Sequence, residues 1–352
     1  MTTELLSMDP ASPDAEAILR AASVIRRGGL VVFPTETVYG LGADGTNAEA
    51  AERIYAAKGR PSDNPLILHI AEASDAERYA YTNTLYYRLA HAFMPGPLTV
   101  ILPAKDSVPL KTRGNLKTVA LRVPSHKVAR ALIRAAGVPI AAPSANLSGS
   151  PSPTVARHVV DDMNGRVDMI IDGGDATFGL ESTIVRIDGE DALTILRPGR
   201  ITPEDLLSVA PHIAISDAVT MALGEGQIAE SPGMKYRHYA PKAPLILLDG
   251  ESAECIRYIR KNASGRCAIL CYHEEMHLFK DVLPDCRVYD FGRRADETEQ
   301  AHALFYLLRE ADKENYDCIY APTPRKEGIG LALYNRMIRA AAYRIVTLTP
   351  RN

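Results

Sequence analysis

A break in periodicity near residue 230 is the feature that most constrains the fold of this chain. The stretch AESPGMKYRHYAP (229–241) has neither the apolar spacing of a helix nor the alternation of a strand. Helix and strand patterns lie on both sides of it. Because 352 residues exceed what one hydrophobic core usually spans, we predict two domains, 1–212 and 244–352, joined by a linker at 213–243.

Both halves have α/β patterns, but of different kinds. The first half mixes helices with β-branched strands, which predicts a mixed sheet. In the second half strands and helices alternate regularly, which predicts a small parallel sheet covered on both faces. Its predicted strands are 244–248, 266–271, 287–290, 317–320 and 343–348, and its predicted helices are 252–262, 274–281, 297–314 and 330–342.

Composition excludes several classes of protein. The net charge of −3 does not favour attraction of the whole molecule to nucleic acid. No run of about 18 apolar residues predicts a membrane span, and residues 1–13 do not resemble a signal peptide, so we expect a cytoplasmic protein without membrane contact. The five cysteines match neither a zinc site nor a CxxC pair, and we expect buried, reduced thiols.

The first motif that can carry chemistry is Lys58-Gly59-Arg60, at the predicted C-terminus of a helix. Two cations there can simply complement the negative end of the helix dipole. An apolar strand follows from Leu66, so the same cations can instead converge on a polyphosphate at a sheet edge. The spacing alone leaves both interpretations open.

The second motif is Ser144-Ala145-Asn146, which follows a short strand of small residues. Ligands bind preferentially at the carboxyl ends of strands in α/β sheets. Serine and asparagine also favour ordinary turns, so a purely structural role is the alternative.

Three polar residues in or beside apolar strands are further candidates. Arg122, within VALRV (119–123), is either solvent-facing or an inward clamp for a carboxylate. His69, within LILHI (66–70), is more often structural in such a position. Ser182 opens another strand, where it can bind a ligand or cap a turn. The sequence has no P-loop, HExxH or GxSxG motif.

Taken together, these segments resemble the threonylcarbamoyl-AMP synthase family, the YrdC-type proteins, in its long two-domain form. Beside Lys-x-Arg and Ser-x-Asn, the resemblance is carried by PTETVYGL (34–41), PGPLT (95–99), LRVP (121–124), ESTIV (181–185) and SPGMKYRHY (231–239). It covers nearly the whole chain. It implies a YrdC-like mixed twisted sheet with a concave cavity, followed by a smaller Rossmann-like parallel domain.

The resemblance also implies an activity and its residues. The activity is that of a nucleotidyltransferase, L-threonylcarbamoyladenylate synthase, which uses threonine, bicarbonate and ATP. The residues implied for catalysis or phosphate binding are Lys58, Arg60, Ser144 and Asn146. Those implied for ATP are Lys58, Ser62, Thr118, Ser144, Ser152, Arg197 and Tyr236. Those implied for threonine are Thr35, His69, Arg122, Ala142 and Ser182, with Arg122 on the carboxylate.

Cofactors and partners follow from the same resemblance. Mg²⁺ would travel on the ATP phosphates without protein ligands, and Tyr236 would reach in from the linker, which acts as a lid. The product would serve a tRNA threonylcarbamoyltransferase that makes N6-threonylcarbamoyladenosine at position 37 of tRNAs that read codons beginning with A. We expect a monomer or weak dimer, with RNA binding as a further property.

Two other functions are compatible with parts of the pattern. A module that binds double-stranded RNA without catalysis would show a steep salt dependence and no ATP turnover. A carbamoyl-transferring relative from hydrogenase maturation would carry zinc-finger and acylphosphatase-like regions. The first cysteine is Cys255, so the sequence gives no sign of such zinc fingers.

Overall fold

A computed structural model describes residues 2–222, 230–232, 238–263, 265–280 and 282–348. The chain forms two compact units. Unit 1 comprises Met1–Ser148 and Ser152–Lys235, and unit 2 comprises Gly149–Pro151 and Tyr236–Asn352.

In the part of unit 1 that the structure describes, eleven strands form one mixed sheet. In chain order these are β1 (Glu4–Ser7), β2 (Val31–Phe33), β3 (Gly40–Asp44), β4 (Ile67–His69), β5 (Leu98–Pro103), β6 (Thr118–Arg122), β7 (Ile140–Ala141), β8 (Met169–Asp172), β9 (Thr183–Ile187), β10 (Ala192–Arg197) and β11 (His212–Ile215). Their order across the sheet is β1-β8-β2-β3-β7-β4-β6-β5-β9-β10-β11. The predicted mixed α/β architecture is confirmed.

Among its described residues, this unit has six α-helices: α1 (Ala15–Arg26), α2 (Ala48–Lys58), α3 (Thr84–Phe93), α4 (Lys127–Ala136), α5 (Ala156–Met163) and α6 (Pro203–Leu207). The bounds of α2 matter for function. The Asn47 side chain accepts hydrogen bonds from the first turn, and Gly59, at a φ of 62°, ends the helix in the left-handed conformation. This cap places Lys58 at the last helical position.

The sheet of unit 1 buries both of its faces. Alternate residues of a strand point to opposite sides, and Val31 and Phe33 pack in one apolar cluster while Leu30 and Val32 pack in another. Helices α1 and α4 cover the first side. Polar side chains in the central strands are therefore forced into a buried setting.

Unit 2 is a parallel sheet of five strands, as the sequence predicts. The strands are β12 (Leu245–Asp249), β13 (Cys267–Cys271), β14 (Cys286–Asp290), β15 (Cys318–Pro322) and β16 (Ile345–Thr347), in the order β14-β13-β15-β12-β16. The helices are α7 (Ser252–Asn262), α8 (Met276–Phe279), α9 (Glu297–Lys313) and α10 (Gly328–Ala340). No helix in the described part of the chain has the length and apolarity needed to cross a bilayer.

Two sequence-based expectations are corrected. Cys267 and Cys286 are register partners on β13 and β14 and form a disulfide, so the expectation of reduced thiols is wrong for this pair. Cys255 and Cys271 are buried free thiols. Strand β11 reaches Ile215, inside the segment predicted as linker, because it pairs in parallel with β10.

Candidate active site

The two sequence motifs, Lys58-x-Arg60 and Ser144-x-Asn146, meet in the structure. The Lys58 ammonium is 2% exposed and donates hydrogen bonds of 2.5 Å to the backbone carbonyls of Ser144 and Asn146. Ser144 Oγ donates to Asn146 Oδ1 at 2.5 Å. A buried cation thus fixes the loop that presents a hydroxyl and an amide.

Arg60 lies near the start of β4 rather than in the Ser144 loop. Its guanidinium donates to the carbonyl of Asn64 at 3.4 Å and to that of Pro65 at 3.2 Å. Strands β4 and β6 are parallel, and Ile67 is the register partner of Ala120. Pro65 and Thr118 each lie two residues before these partners, so Thr118 lies at the same end of the strands as Arg60. Ser62, between Arg60 and Pro65 in sequence, is exposed.

The loop that follows β2 pairs with the Ser144 loop through the backbone. Gly40 and Ser144 form an antiparallel bridge, and the Ala145 amide donates to the carbonyl of Tyr39 at 2.8 Å. Thr35 begins the same loop, where its hydroxyl donates to the Val38 carbonyl at 2.6 Å. These contacts join a residue predicted to bind threonine to the Ser144-x-Asn146 motif, which is predicted to bind phosphate.

A buried ion pair lies at the far end of β6. Arg122 Nη2 donates to Glu36 Oε1 at 2.7 Å, and both side chains are almost fully buried. Arg122 is the register partner of His69 on β4, so the two predicted threonine residues are neighbours. Along β6, Arg122 lies about 13 Å from Thr118, at roughly 3.3 Å per residue.

Each side chain of the Arg122–Glu36 ion pair has one polar atom that makes no hydrogen bond to the described residues. Glu36 Oε2 is buried and has no hydrogen-bond partner, and Arg122 Nη1 has none among the described residues. A buried carboxylate oxygen without a partner is costly. The pair thus offers one positive and one negative group side by side, which matches the carboxylate and ammonium of an amino-acid zwitterion.

His69 is held neutral in this site. Burial, together with the nearby Arg122 cation, lowers the pKa of His69 to about 3. Its Nδ1 atom is buried without a hydrogen-bond partner. At neutral pH the imidazole therefore adds no charge beside the ion pair, although it can accept or donate one hydrogen bond.

This setting predicts a specific pH dependence of stability. Because the folded-state pKa of His69 is below that of the unfolded chain, the unfolded state binds a proton first as pH falls from about 6.5 to about 3. For each unit by which pH falls in this range, protonation of His69 in the unfolded chain should lower the free energy of unfolding by up to about 1.4 kcal/mol. When the free energy of unfolding is measured in urea at pH 7, 6 and 5, it should fall less steeply with decreasing pH in His69→Asn than in the parent.

The matched control for this measurement is the exposed His91. His91→Asn should leave the pH slope of the parent unchanged. A slope for His69→Asn equal to that of the parent would contradict the burial of a neutral imidazole.

A third polar group lies where β9 begins and β10 ends. Arg197 donates from Nε to the carbonyl of Ser182 and from Nη2 to Ser182 Oγ, each at 3.0 Å. Thr99 Oγ1 lies 2.7 Å from Ser182 Oγ. Arg197, predicted for ATP, is therefore placed directly against Ser182, predicted for threonine.

The remaining predicted residues are Ser152, Ala142 and Tyr236. Ser152 is fully buried, and its hydroxyl donates to Glu181 Oε1 at 2.5 Å, one residue before Ser182. Ala142 is buried, and its amide donates to the Ile67 carbonyl at 2.9 Å. Tyr236 lies outside the described residues, as do 223–229 and 233–237 of the predicted lid.

Three residues of this site were not predicted individually: Glu36, Thr99 and Glu181. All three lie inside segments that carry the resemblance, PTETVYGL, PGPLT and ESTIV. A carboxylate beside threonines on a loop has no distinguishing period, so only its pairing with Arg122 reveals it.

Comparisons with known proteins identify the family of this chain. Residues 23–199 match the Sua5, YciO and YrdC family, described as "Telomere recombination", and residues 201–342 match the "Threonylcarbamoyl-AMP synthase, C-terminal domain". The chain is 42% identical to the threonylcarbamoyl-AMP synthase of Bacillus subtilis, across 98% of this chain and 97% of the relative. This chain belongs to the threonylcarbamoyl-AMP synthase family.

Other members of the threonylcarbamoyl-AMP synthase family are similar over the same length. The Pyrococcus abyssi enzyme is 42% identical, across 93% of this chain and 94% of the relative. The solved structure of Pyrococcus abyssi Sua5 complexed with L-threonine has a TM-score of 0.88 at 38% identity, covering 99% of this chain and all of the other. The family's two-domain form is therefore shared along the whole chain.

Proposed function

We propose that this chain is an L-threonylcarbamoyladenylate synthase. It converts L-threonine, bicarbonate and ATP into threonylcarbamoyl-AMP, pyrophosphate and water. Similarity to such synthases over nearly the full length of both chains carries the proposal. The product supplies the threonylcarbamoyl group of N6-threonylcarbamoyladenosine at position 37 of tRNAs that read codons beginning with A.

The buried ion pair supports an amino-acid site. Arg122 Nη1 would hold the threonine carboxylate, while Glu36 Oε2 would receive the ammonium and take its proton. The amine nitrogen then bonds to the carbon of bicarbonate and water leaves, which gives the N-carboxy intermediate. Thr35, His69, Ala142 and Ser182 are proposed to shape the remainder of this site.

The cationic end of the site supports the nucleotide step. The carboxylate of the intermediate attacks the α-phosphorus of ATP, and the bond to the β-phosphate breaks to release pyrophosphate. Two anions must approach each other, so fixed cations and donors lower the barrier more than an acid–base pair does. Lys58 and Arg60 are proposed to bear the phosphate charge, with Ser144 and Asn146 as donors.

The other residues proposed for ATP divide between the two ends of the central strands. Ser62 and Thr118 accompany Arg60, whereas Ser152 and Arg197 accompany Ser182. Mg²⁺ is proposed to arrive with the ATP phosphates. Within the described residues, no group of three or more His, Cys, Asp and Glu side chains is arranged to hold a metal ion.

The proposal also includes the location, the partners and the oligomeric state of the protein. We propose a cytoplasmic location, transfer of the product to a tRNA threonylcarbamoyltransferase, and a monomer or weak dimer. Binding of double-stranded RNA and closure of the 213–243 segment over the site belong to the same set of predictions.

A direct test uses the purified chain with ATP, threonine and labelled bicarbonate. Labelled threonylcarbamoyl-AMP and pyrophosphate should form together, and omission of any one substrate should abolish both. Serine should be used between about 10 and 200 times less efficiently than threonine, because a single methyl group is worth about 1–3 kcal/mol in a packed site. Pyrophosphate release that needs no threonine would overturn the proposal.

A further inference from the structure

Unit 2 contains a cavity of its own, and no residue proposed for the synthase reaction lines it. The cavity has a volume of about 230 Å³ and lies where β12, β13 and β15 end, at Asp249, Cys271 and Pro322. In parallel α/β sheets, ligands bind outside the carboxyl ends of the strands. The position is thus that of a binding site rather than of a packing defect.

The floor of the cavity is apolar. It is formed by side chains from two strands and two helices, among them Ile259 of α7, Ile269 of β13, Phe279 of α8 and Tyr320 of β15. These four residues are each at most 5% exposed. Such a floor favours the hydrocarbon part of a ligand.

The mouth of the cavity is negatively charged. Three carboxylates line it, Asp249, Glu251 and Glu275, against one cation, Arg294. Arg294 is paired with Glu275 and lies 4.3 Å from the ring centroid of Tyr272. The side chains of Asp249 and Glu251 make no hydrogen bond or ion pair with the described residues, so two negative charges are left at the mouth. This charge opposes a phosphate-bearing ligand.

One buried hydroxyl oxygen beside the carboxylates lacks a partner. Thr323 Oγ1 is shielded from solvent and makes no hydrogen bond. Because buried hydroxyl oxygens are normally satisfied, Thr323 Oγ1 is free to accept from a ligand N–H.

The two cysteines in the cavity do not provide reactive thiolates. Burial, with the neighbouring carboxylates, raises the pKa of Cys255 to about 11 and that of Cys271 to about 12. Both thiols are protonated at neutral pH, so they act as apolar lining. Ligand selection is therefore decided by the carboxylates and the Thr323 hydroxyl.

We propose that this cavity binds a small aliphatic ammonium ion, a monoamine or diamine. Its methylene chain lies on the apolar floor, and its charged nitrogen lies between Asp249, Glu251 and the Thr323 hydroxyl. The cavity is smaller than the roughly 300 Å³ at which pockets for drug-sized molecules begin, which suits a chain of a few methylene groups.

Calorimetry on the full chain in amine-free buffer tests this proposal, with putrescine as the probe. Putrescine should bind, whereas 1,4-butanediol of the same length, the dianion succinate, and AMP should give no measurable heat. Asp249→Asn should weaken putrescine binding at least about tenfold, since a hydrogen bond to a charged group is lost. Asp285→Asn, an exposed carboxylate outside the cavity, should bind like the parent.

Several results would overturn the proposal. One is the absence of putrescine binding; another is binding of AMP in preference to putrescine. A third is unchanged putrescine affinity in both Asp249→Asn and Glu251→Gln, which would assign the diamine to another surface. The unfolding midpoint of each variant without ligand identifies loss of fold, and Glu251→Gln replaces Asp249→Asn if the latter does not fold. Synthase activity is measured separately, so failure of either proposal leaves the other intact.

Discussion

Replacement of Lys58 by methionine is expected to reduce turnover at least about 100-fold. The lysine ammonium is buried, holds the Ser144 and Asn146 carbonyls, and is proposed to bear phosphate charge in the transition state. Loss of one fixed electrostatic group of this kind typically costs about 10²–10³ in rate. The measurement is threonine- and bicarbonate-dependent exchange of pyrophosphate into ATP, at saturating substrates.

Two further variants separate a catalytic effect from misfolding. Lys111→Met removes an exposed lysine that pairs with Glu52, and it should retain parental exchange. Ser144→Ala keeps the carbonyl that Lys58 contacts and removes only the hydroxyl, so it should fold normally and lose part of the rate. Parental exchange rates in both Lys58→Met and Ser144→Ala would refute the phosphate site.

Replacement of Glu36 by glutamine is expected to damage both stability and threonine binding. It leaves the buried Arg122 guanidinium without a counter-charge, which should cost about 3–5 kcal/mol of unfolding free energy. It also removes the carboxylate proposed for the threonine ammonium, so threonine affinity should fall between about tenfold and a hundredfold. Urea unfolding measures the first effect and calorimetry the second.

The controls compare buried and exposed ion pairs within one protein. Glu72 pairs with Arg134 and Arg130 on the surface, so Glu72→Gln should cost no more than about 1 kcal/mol and leave threonine affinity unchanged. The double variant Glu36→Gln/Arg122→Met removes both charges and should regain much of the lost stability without regaining threonine binding. Equal stability losses for Glu36→Gln and Glu72→Gln would contradict the assignment.

Sequence periodicity predicted the elements that carry their own pattern. The α7 helix is found at its predicted bounds, and the five parallel strands of unit 2 lie within two residues of their predicted bounds. Strand β3, of sequence GLGAD, has two glycines, which weaken a strand, so its local pattern does not predict one. It is a strand because β2 and β7 pair with it on either side, and such pairing is not visible in a local window.

Helical spacing over about 74–93 predicts helical stretches there, and the structure has two of them. They are a 3₁₀ helix, Ala73–Arg78, and α3. Asn83 begins α3 by accepting a hydrogen bond from the Tyr86 amide. This cap signal was present in the sequence and outweighs the helical spacing across it.

For the candidate site, the sequence predicted residues but not the neighbours that the structure gives them. Lys58 and Ser144 were each compatible with a structural role, and only the resemblance joined them. Arg122 was predicted as a carboxylate clamp, whereas the structure adds Glu36 as its buried partner. Contacts between residues this far apart depend on strand order, which propensity and spacing do not encode.

The long separation of these contacts has a consequence for the nascent chain. Lys58 and Ser144 are 86 positions apart, as are Glu36 and Arg122. Arg197, which donates to Ser182, is the last residue of β10, the tenth strand. Few of the interactions that define the candidate active site are local, so loop closure must precede them and folding of this unit is expected to be slow. A ribosome-bound fragment that lacks β10 should therefore lack part of the proposed threonine site, and affinity for threonine should emerge late and abruptly during synthesis.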